Sequence, residues 1–341
     1  MQDVIGWDIG GAHVKAARAH EGRIVAVAQR ACAPHTGLAS LEEAVRTTSA
    51  ELGPAARHHV TMTAELSDAF EDRARGVVSI AVIMTHALGA ETFFYAGAQG
   101  LIARANVANS VREIASANWR VSAELAARCC RDALFIDIGS TTTDLIPIRD
   151  NVIVSRGVTD AERLALGELA YAGFSRGAPQ AYARQAPIGG RWTPLVNEAF
   201  ASMADVRRVL GELSDGDSRA DLSPTADGRP KTPSAARTRL ARLAGCDAGD
   251  LSEQQLRVFA DYLARAQLRV IEDQIALLAS RDGFAPEAAF VGAGVGRGLV
   301  ARLTQAHGRT VHDFADFVPA SEALRAVAAD CAPAVALALL R

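Results

Sequence analysis

Residues 134–148 read LFIDIGSTTTDLIPI, and residues 4–17 read VIGWDIGGAHVKAA. Both stretches place an Asp inside an apolar strand, two residues before a Gly, and both continue through a short turn into a second strand. A strand–turn–strand unit that recurs within one chain indicates an internal duplication. We therefore predict an α/β protein with two similar domains, which meet near residue 131 and cover residues 1–130 and 131–341.

The sequence around both copies continues the α/β pattern. Three strands in a row are predicted around the first copy, at Val4–Ile9, His13–Ala19 and Ile24–Arg30. After the second copy, a strand at residues 288–294 and its helix complete the second domain. Between them, at about residues 160–250, lies a helical and loop insertion, whose residues 214–234 lack apolar periodicity and form a long loop.

Longer segments with helical periodicity flank these strands. They are Leu38–Leu52, a helix that begins near Ser67, Asn109–Cys130 and Ser252–Ser280. The last apolar stretch, residues 332–340, is shorter than the roughly 20 residues that cross a bilayer. We predict a terminal core helix there.

The composition is that of a folded protein that works on small molecules. Of 341 residues, 49% are hydrophobic and 22% are charged, and the formal net charge is −3. This charge lacks the basic excess of nucleic-acid-binding proteins. The N-terminus lacks the regions of a signal peptide, and the five cysteines form no CxxC pair. We predict a cytoplasmic protein with buried thiols and without nucleic-acid or membrane partners; a homodimer stays open.

The first turn carries a carboxylate where the chain is otherwise apolar. Asp8 ends a hydrophobic strand beside Gly10 and Gly11, and a buried carboxylate is costly unless a cation or N–H groups meet it. A divalent metal with a bound phosphate would supply that partner, because the glycines let backbone amides approach the anion. Lys15 either neutralises the phosphate or is a solvated surface lysine. The alternative for Asp8 is an ordinary hairpin turn.

The second turn adds hydroxyl groups to the same pattern. Its residues are Asp137, Gly139, Ser140, Thr141, Thr142, Thr143 and Asp144. Hydroxyls and amides of such a turn can hold phosphate oxygens while Asp137 or Asp144 orients a metal-bound water. Two such turns that face each other across a cleft would clamp a phosphate from both sides. A duplicated hairpin with a purely structural role is the alternative.

A third glycine cluster lies between a strand and a helix near the end of the chain. It reads FVGAGVGRGLV at residues 290–300 and contains Gly292, Gly294 and Gly296. Glycines at such a turn let a nucleotide or a similar flat group approach the backbone. A Rossmann site is the weaker interpretation, because no βαβ array precedes the cluster.

Together, WDIGG, IDIGSTTTD and VGAGVGRG resemble the motifs of one superfamily. They are similar to the phosphate-1, phosphate-2 and adenosine motifs of the actin, Hsp70 and acetate and sugar kinase superfamily, in that order and across nearly the whole chain. The resemblance implies two RNase H-like domains that close on a cleft.

More narrowly, the chain resembles the hydantoinase/oxoprolinase-related proteins linked to tetrahydromethanopterin one-carbon transfer. The segments that carry this resemblance are MTAELSDAFEDRARGV, ANSVREIASANW, FIDIGSTTTDLIPI, LVNEAFASMADVRRVLGEL and TADGRPKT. Archaeal members of that group resemble the condensing enzyme of methanofuran biosynthesis. The resemblance implies a transferase that joins an aminomethylfuran-methyl diphosphate to the phenol of a tyramine or tyrosine derivative and releases diphosphate.

In this interpretation the phosphate clamp holds the diphosphate, and ATP is not required. Asp8, Asp137 and Asp144 hold Mg²⁺ directly or through water, and the two glycine turns hold the diphosphate. A base for the phenol is predicted at Glu65, with Asp68 as a further candidate, because both follow a predicted strand at an edge where α/β folds gather ligands.

Two other functions would use the same motifs. An ATP-dependent small-molecule kinase or ATPase would turn over a nucleotide. A non-catalytic nucleotide sensor or assembly protein would bind one without biosynthetic chemistry.

An aromatic substrate profits from stacking on aromatic side chains. Asn118 and Trp119 are candidates for shaping such a pocket. The alternative is that Trp119 packs in the core.

Overall fold

Two sheets of similar design organise the molecule. The computed structural model describes residues 3–34 and 37–340. The strands are β1 Val4–Ile9, β2 His13–His20, β3 Arg23–Ala31, β4 Arg57–Met62, β5 Thr92–Tyr95, β6 Leu101–Ala103, β7 Ala133–Ile138, β8 Thr143–Arg149, β9 Val152–Ile153, β10 Leu169–Ala170, β11 Gln185–Ile188, β12 Arg191–Pro194, β13 Ala289–Ala293 and β14 Val311–Asp313. The α-helices are α1 Leu38–Leu52, α2 Arg73–Leu88, α3 Val111–Ile114, α4 Asn118–Cys129, α5 Asp160–Ala165, α6 Met203–Leu210, α7 Pro233–Leu243, α8 Glu253–Ala279, α9 Val300–His307, α10 Glu322–Ala329 and α11 Ala332–Ala338.

The first sheet has the strand order β3–β2–β1–β4–β5–β6. Strands β1, β2 and β3 form the predicted antiparallel meander, β4 lies parallel to β1, and β5 lies parallel to β4. Because β1 is central, its residues 5–9 are buried. Asp8 therefore lies near the carboxyl end of a buried strand.

The second sheet repeats this design with the order β10–β8–β7–β13–β14. Strands β7 and β8 form an antiparallel hairpin, as β1 and β2 do. On the other side of β7, β13 runs parallel, as β4 does beside β1. The repeat seen in the sequence is thus a repeat of strand pairing. The short hairpin β11–β12 and helices α5 to α7 occupy the predicted insertion.

The last helix crosses between the two halves of the chain. Helix α11 follows the second sheet in sequence, yet it packs on β1, β2 and β4 of the first sheet and on α4. Its approach to β1 requires Gly6, since a Cβ there would lie 2.6 Å from the Ala338 nitrogen. The predicted terminal core helix is confirmed. The division into residues 1–130 and 131–341 stays a prediction, and α11 reaches across it.

Two predicted helices differ in the structure. The helix predicted from near Ser67 begins at Arg73, because the Asp72 side chain accepts a backbone hydrogen bond and caps it there. The helix predicted over residues 109–130 is interrupted at Ser116, whose φ of +53° cannot continue a right-handed helix. No helix within the described residues is long and apolar enough to cross a membrane.

The predicted loop at residues 214–234 contacts helix α6 and strand β3. Arg208, buried in α6, places Nη2 2.8 Å from Asp221 Oδ2. The Gln29 side-chain amide of β3 donates to the Arg219 carbonyl at 2.9 Å. These contacts hold the loop, in which residues 214–232 have no strand or helix beyond an isolated bridge, while residues 233 and 234 begin α7.

The prediction of buried thiols holds for three of the five cysteines. Cys32, Cys130 and Cys331 are buried, Cys246 is half-buried and Cys129 is exposed at the end of α4. All five are free thiols.

Candidate active site

The turns that follow β1 and β7 open into one cavity of about 240 Å³. Because the carboxyl ends of β1 and β7 both lie at this cavity, the two copies of the repeat face the same space. Ten of the residues predicted from the sequence line it: Asp8, Gly10, Gly11, Lys15, Asp137, Gly139, Ser140, Thr141, Thr142 and Asp144.

The first turn presents a buried carboxylate. Asp8 pairs with Lys15 across β1 and β2, and the Gly10 amide donates to the His13 carbonyl at 2.9 Å. Asp8 is 6% exposed, and its Oδ1 has no hydrogen-bond partner among the described residues. Burial raises the pKa of Asp8 to about 6, against the opposing effect of Lys15 and with a contribution from Asp144. An unpartnered carboxylate oxygen beside a cavity favours a bound cation.

The second turn has the same backbone with a second acid. Asp137 pairs with Asp144 across β7 and β8, and the Gly139 amide donates to the Thr142 carbonyl at 2.9 Å. Burial raises the pKa of Asp137 to about 7, Asp144 adds to the rise, and Lys15 opposes it. Cationic or hydrogen-bond-donating groups would therefore bind favourably here.

A separate segment braces the second turn. The amides of residues 173–176 donate to the carbonyls of Gly139, Ser140 and Thr141 at 2.8–3.2 Å. The amides of residues 140–142 make no backbone hydrogen bond within the described part of the chain. With their carbonyls engaged and their amides free, these residues have the donors that an anion would require.

Lys15 brings a positive charge to these carboxylates. Its Nζ donates to the Asp330 carbonyl at 2.9 Å. Burial alone would lower the pKa of Lys15, but its acidic neighbours, Asp8 and Asp137 among them, raise it overall. Lys15 is therefore a charged group of the cavity rather than a solvated surface lysine.

Asp144 is held by a buried arginine. Arg163 Nη2 donates to Asp144 Oδ1 at 2.8 Å and to the Glu168 carbonyl at 2.9 Å. Burial raises the pKa of Asp144, and Arg163 opposes that rise. The Arg163 guanidinium also lies 4.3 Å from the Trp119 ring centroid. Asp144 thus already has a cation, and Trp119 packs beneath Arg163 in the core instead of lining the cavity. Asn118 does line it.

Mg²⁺ fits this site only with further oxygen ligands. No three His, Cys, Asp or Glu side chains among the described residues lie close enough together to hold a metal. The three-carboxylate site predicted from Asp8, Asp137 and Asp144 is therefore not preformed, because Asp144 is paired with Arg163. Asp8 and Asp137 are both buried and both line the cavity. They suit Mg²⁺, which commonly takes one or two carboxylates and completes its shell with water and phosphate oxygens.

Arg176 and His13 also line the cavity. Arg176 is exposed, and its Nη1 donates to Thr141 Oγ1 at 3.3 Å. His13 is buried, and burial is the main cause that lowers its pKa to about 3, so its imidazole is neutral. Arg176 supplies a second positive charge beside the hydroxyl-rich turn.

The two predicted bases are placed differently. Glu65 is 1% exposed and lies behind the cavity wall, whereas Asp68 is exposed and does not line the cavity. Ser116 Oγ lies 2.9 Å from Glu65 Oε1 and 3.2 Å from Asp160 Oδ2. Ser116 and Asp160 do line the cavity. Of the two predicted bases, only Glu65 is connected to it, because the chain turns away before Asp68.

The third glycine cluster does not line the cavity. The amides of Gly294 and Gly296 donate to the carbonyls of Ala329 and Ile138 at 2.9 and 2.8 Å, so neither amide is free for a ligand. A Cβ on Gly294 would lie 2.5 Å from the Ile138 carbonyl oxygen. Gly294 and Gly296 permit close packing against Ile138 of β7, and Gly292 permits close packing against Val300 of α9. Nothing in this geometry supports the ligand contact predicted for them.

Thr143 also differs from its prediction. Its Oγ1 donates to the Ala172 carbonyl at 2.9 Å, and the side chain is fully buried outside the cavity. Successive side chains of β8 point to opposite faces, so Thr143 points away from the face of Asp144. Ser140, Thr141 and Thr142 supply the hydroxyls of this turn to the cavity.

Sequence reasoning did not single out five residues of this region: Ser116, Asp160, Arg163, Gly173 and Arg176. Four come from the part of the chain interpreted as an insertion. One signal was available, since the YAGFSRG stretch at 171–177 places Gly173 and Arg176 in a glycine-rich turn. The others carry no local pattern, because only the tertiary fold brings them to the cavity.

Comparison with known proteins identifies relatives of this chain. A model of the hydantoinase/oxoprolinase family matches residues 57–334. A protein of Methanocaldococcus jannaschii named (4-{4-[2-(gamma-L-glutamylamino)ethyl]phenoxymethyl}furan-2-yl)methanamine synthase is 28% identical over 223 residues, which are 65% of this chain and 66% of that protein. Its namesake from Methanococcus vannielii is 29% identical over 133 residues, which are 39% of this chain and 58% of that protein. The matches thus cover just under two thirds, or less, of each relative's length.

Solved structures share the fold. A nucleotide-free acetone carboxylase has a TM-score of 0.55 at 11% identity and covers 91% of this chain, which covers 68% of it. A ROK family glucokinase from Streptomyces griseus, in complex with glucose and AMPPNP, has a TM-score of 0.50 at 18% identity, with 98% of each chain covered. The chain therefore has the predicted mixed α/β fold, which it shares with proteins of the actin-like ATPase and sugar kinase fold.

Proposed function

Because the chain belongs to the hydantoinase/oxoprolinase family, we propose that it is a transferase which joins an aminomethylfuran-methyl diphosphate to the phenol of a tyramine or tyrosine derivative, forming an ether and releasing diphosphate. The two relatives are named for a methanamine in which a phenoxymethyl group links the phenol to the furan. Such an ether forms when a phenol oxygen displaces a leaving group from the furfuryl carbon. The reaction would belong to the biosynthesis of methanofuran or a similar furan cofactor.

The braced second turn is the observation that carries this proposal. The free amides of residues 140–142 would receive the diphosphate of the furan substrate, and Lys15 and Arg176 would add positive charge. As the furfuryl C–O bond breaks, negative charge grows on the diphosphate. Donors fixed before the reaction stabilise that charge without reorganisation.

Asp8 and Asp137 would hold Mg²⁺ in this cavity. Bound Mg²⁺ supplies neutralisation of the leaving diphosphate. In the absence of the metal, the same carboxylates would repel the diphosphate. The two acids would therefore make diphosphate bind more tightly when Mg²⁺ is present.

Glu65 is the proposed acceptor of the phenol proton. It is a buried carboxylate joined to the cavity through Ser116. Burial raises the pKa of Glu65 to about 7, close to the pH at which a general base works best. Asp68, which is exposed outside the cavity, is not retained in this role.

An ATP-dependent small-molecule kinase or ATPase is the second candidate. The likeness in fold to a glucokinase complex with AMPPNP favours it. Against it, the amides of Gly294 and Gly296 are already bonded within the protein. In the preferred proposal ATP is not required.

One incubation separates these candidates. The purified protein and Mg²⁺ would be mixed with the furan diphosphate and tyramine or γ-glutamyltyramine, and the ether and diphosphate would be followed by mass spectrometry. A parallel reaction contains ATP alone. Ether with equimolar diphosphate, formed without ATP, is the expected result. ATP consumption without ether would overturn the proposal in favour of a kinase or ATPase.

A further inference from the structure

A line of hydrogen-bonding groups leads from the cavity into the first half of the molecule. Asp160 and Ser116 line the cavity, and Glu65 lies behind them at 1% exposure. Ser116 Oγ lies 3.2 Å from Asp160 Oδ2 and 2.9 Å from Glu65 Oε1. Arg73 Nη2 lies 3.0 Å from the same Asp160 oxygen. Ser116 is thus the one link between the buried acid and the cavity in this group.

The hydroxyl of Ser116 carries a single proton, so it cannot donate to both carboxylates at once. When Glu65 is ionised, Ser116 can donate to it. When Glu65 is protonated, Glu65 can donate to Ser116, which then donates to Asp160. Because Arg73 pairs with Asp160, that carboxylate remains an acceptor in both arrangements. The group therefore has two hydrogen-bonding states that differ by one proton on Glu65.

The backbone holds these groups in place. Ala115 bridges Met62 at the carboxyl end of β4, which fixes the neighbouring Ser116. Ser116 has a φ of +53°, a conformation that is uncommon for residues other than Gly, and such strain concentrates at functional sites. On the other side, Gly76 of α2 permits close contact with Glu65, since a Cβ there would lie 2.8 Å from the Glu65 Cα.

We infer that Ser116 relays the proton of the phenolic substrate to Glu65, an inference that rests on the proposed function. The phenol oxygen forms its bond to the furfuryl carbon as the C–O bond to diphosphate breaks. The phenol proton passes to Ser116 Oγ while the Ser116 proton passes to Glu65 Oε1. Ser116 then donates to Asp160, and Glu65 releases the proton to water after the ether leaves.

The charges around Glu65 suit this role. Burial is the main cause that raises its pKa to about 7; Ser116 opposes the rise, Asp160 adds to it and Arg73 opposes it. Asp160 and Arg73 are the charged groups that act on Glu65. Glu65 Oε2 has no hydrogen-bond partner among the described residues. Protonation of Oε1 reverses the direction of the hydrogen bond with Ser116 and breaks no contact of Oε2.

A spectroscopic test needs no turnover. The full-length protein is mixed with 4-nitrophenol, whose phenolate absorbs visible light, and the carbonyl band of a protonated carboxylic acid is followed by infrared difference spectroscopy. In the wild type, bound phenolate and the acid band should grow together. Glu65→Gln should abolish both. Ser116→Gly, which tolerates the positive φ, should reduce both the phenolate and the acid band at least about 10-fold.

Ser122→Ala is the matched control, because Ser122 is a fully buried serine of α4 whose hydroxyl has no partner within the described residues. It should behave as the wild type. The relay is overturned if Ser116→Gly keeps the wild-type response, or if the wild type fails to bind 4-nitrophenol or binds it without forming phenolate.

Kinetics give a second readout when the ether is formed. Glu65→Gln should lower kcat/KM about 100-fold or more and remove the rise of kcat/KM with pH. The KM for the furan diphosphate should stay unchanged, since the relay does not contact diphosphate. An unchanged pH profile in Glu65→Gln contradicts the relay. Absence of both ether and diphosphate in the wild type contradicts the proposed function instead, and the nitrophenol experiment then still decides the relay.

Discussion

The two hairpins that line the cavity have the same backbone geometry but differ in the charge of the residue paired with their Asp. Both turns close with an amide-to-carbonyl hydrogen bond of 2.9 Å, and in both an Asp lies two residues before the glycine that donates it. In the first hairpin Asp8 faces Lys15, and in the second Asp137 faces Asp144. The repeated backbone fixes where the carboxylates lie. The residue paired with each Asp differs, so the first hairpin itself supplies a lysine and the second hairpin supplies another carboxylate.

A second difference lies in what supports each turn. The second turn is braced by residues 173–176, which engage its carbonyls. The first turn has open space around Gly11, where an added Cβ would meet no atom within 4 Å. The second turn is thus held by four amides of one segment, whereas in the first turn the Cys32 amide and thiol donate to the Ala12 and Gly10 carbonyls.

The largest effect is expected from neutralising Asp8 and Asp137, the acids that lie at the equivalent position of the two hairpins. Asp8→Asn and Asp137→Asn should each lower kcat for ether formation about 100-fold or more, because each removes a proposed Mg²⁺ ligand from the leaving-group site. Mass spectrometry of ether and diphosphate measures the loss. The exposed Asp316 provides Asp316→Asn as a control. Folded variants with full activity at both positions would remove the metal site.

Disrupting the contacts that residues 173–176 make with the second turn should affect the second turn and leave the first unchanged. Gly173→Ala would place a Cβ 2.5 Å from the Thr141 nitrogen. We expect it to lower the free energy of unfolding by about 1–3 kcal/mol and to weaken Mg²⁺–diphosphate binding about 10-fold, since the proposed anion site loses its support. Calorimetry and thermal unfolding measure both.

Gly11→Ala is the matched change in the first turn, and the free energy of unfolding of this variant should lie within about 0.5 kcal/mol of the wild-type value. If Gly11→Ala destabilised the protein as much as Gly173→Ala, the contrast between a braced and an open turn would be lost.

Neutralising Lys15 and neutralising Asp144 should shift the affinity for diphosphate in opposite directions. Lys15→Gln removes a positive charge from the cavity and should weaken metal-free diphosphate binding about 10-fold. Asp144→Asn removes a negative charge and should strengthen it by a factor of about three. Titration calorimetry in the presence of a chelator measures both. A change in the same direction for both variants would show that Lys15 and Asp144 do not set the charge of the cavity.

The smallest effect is a pH dependence of stability without metal. The folded pKa values of about 6 for Asp8 and about 7 for Asp137 lie above the ordinary value of 3.8. The folded state therefore binds more protons than the unfolded state between about pH 4 and 7, so the free energy of unfolding contributed by these acids falls as pH rises through that window. Glu65 contributes in the same direction.

Asp137→Asn should reduce this fall by on the order of 1 kcal/mol, as measured by urea unfolding at pH 5 and pH 7.5 with a chelator. An identical pH dependence in the variant would mean that Asp137 ionises freely in the folded protein.

The repeat and its carboxylates could be predicted because they depend on local pattern. An apolar strand that ends in Asp, followed by a glycine turn and a second strand, specifies a hairpin and the register of its acids. Asp8 and Asp137 therefore reach the cavity as expected. The direction of Thr143 was also predictable, since it precedes Asp144 by one residue on a strand and so faces the other side.

Other parts of the site depend on contacts that no local pattern reveals. The brace at 173–176 and the buried Arg163 reach the hairpin from later segments of the chain. Ser116 reaches Glu65 only because its positive φ interrupts a segment with helical periodicity. The glycines at 294 and 296 show a further limit: the same residue type serves close packing and ligand approach, and sequence alone does not distinguish them.

Helix α11 has a consequence for how the protein is made. It completes the packing of β1 and β4, and His59 of β4 meets the Leu337 carbonyl of α11 at 2.9 Å across 278 residues of sequence. On a translating ribosome, the first sheet emerges long before this helix, so it must wait as an incomplete intermediate. Contacts this distant in sequence also slow folding. Since Pro333 of the same helix lines the cavity, a nascent chain has no complete cavity until α11 has been synthesised.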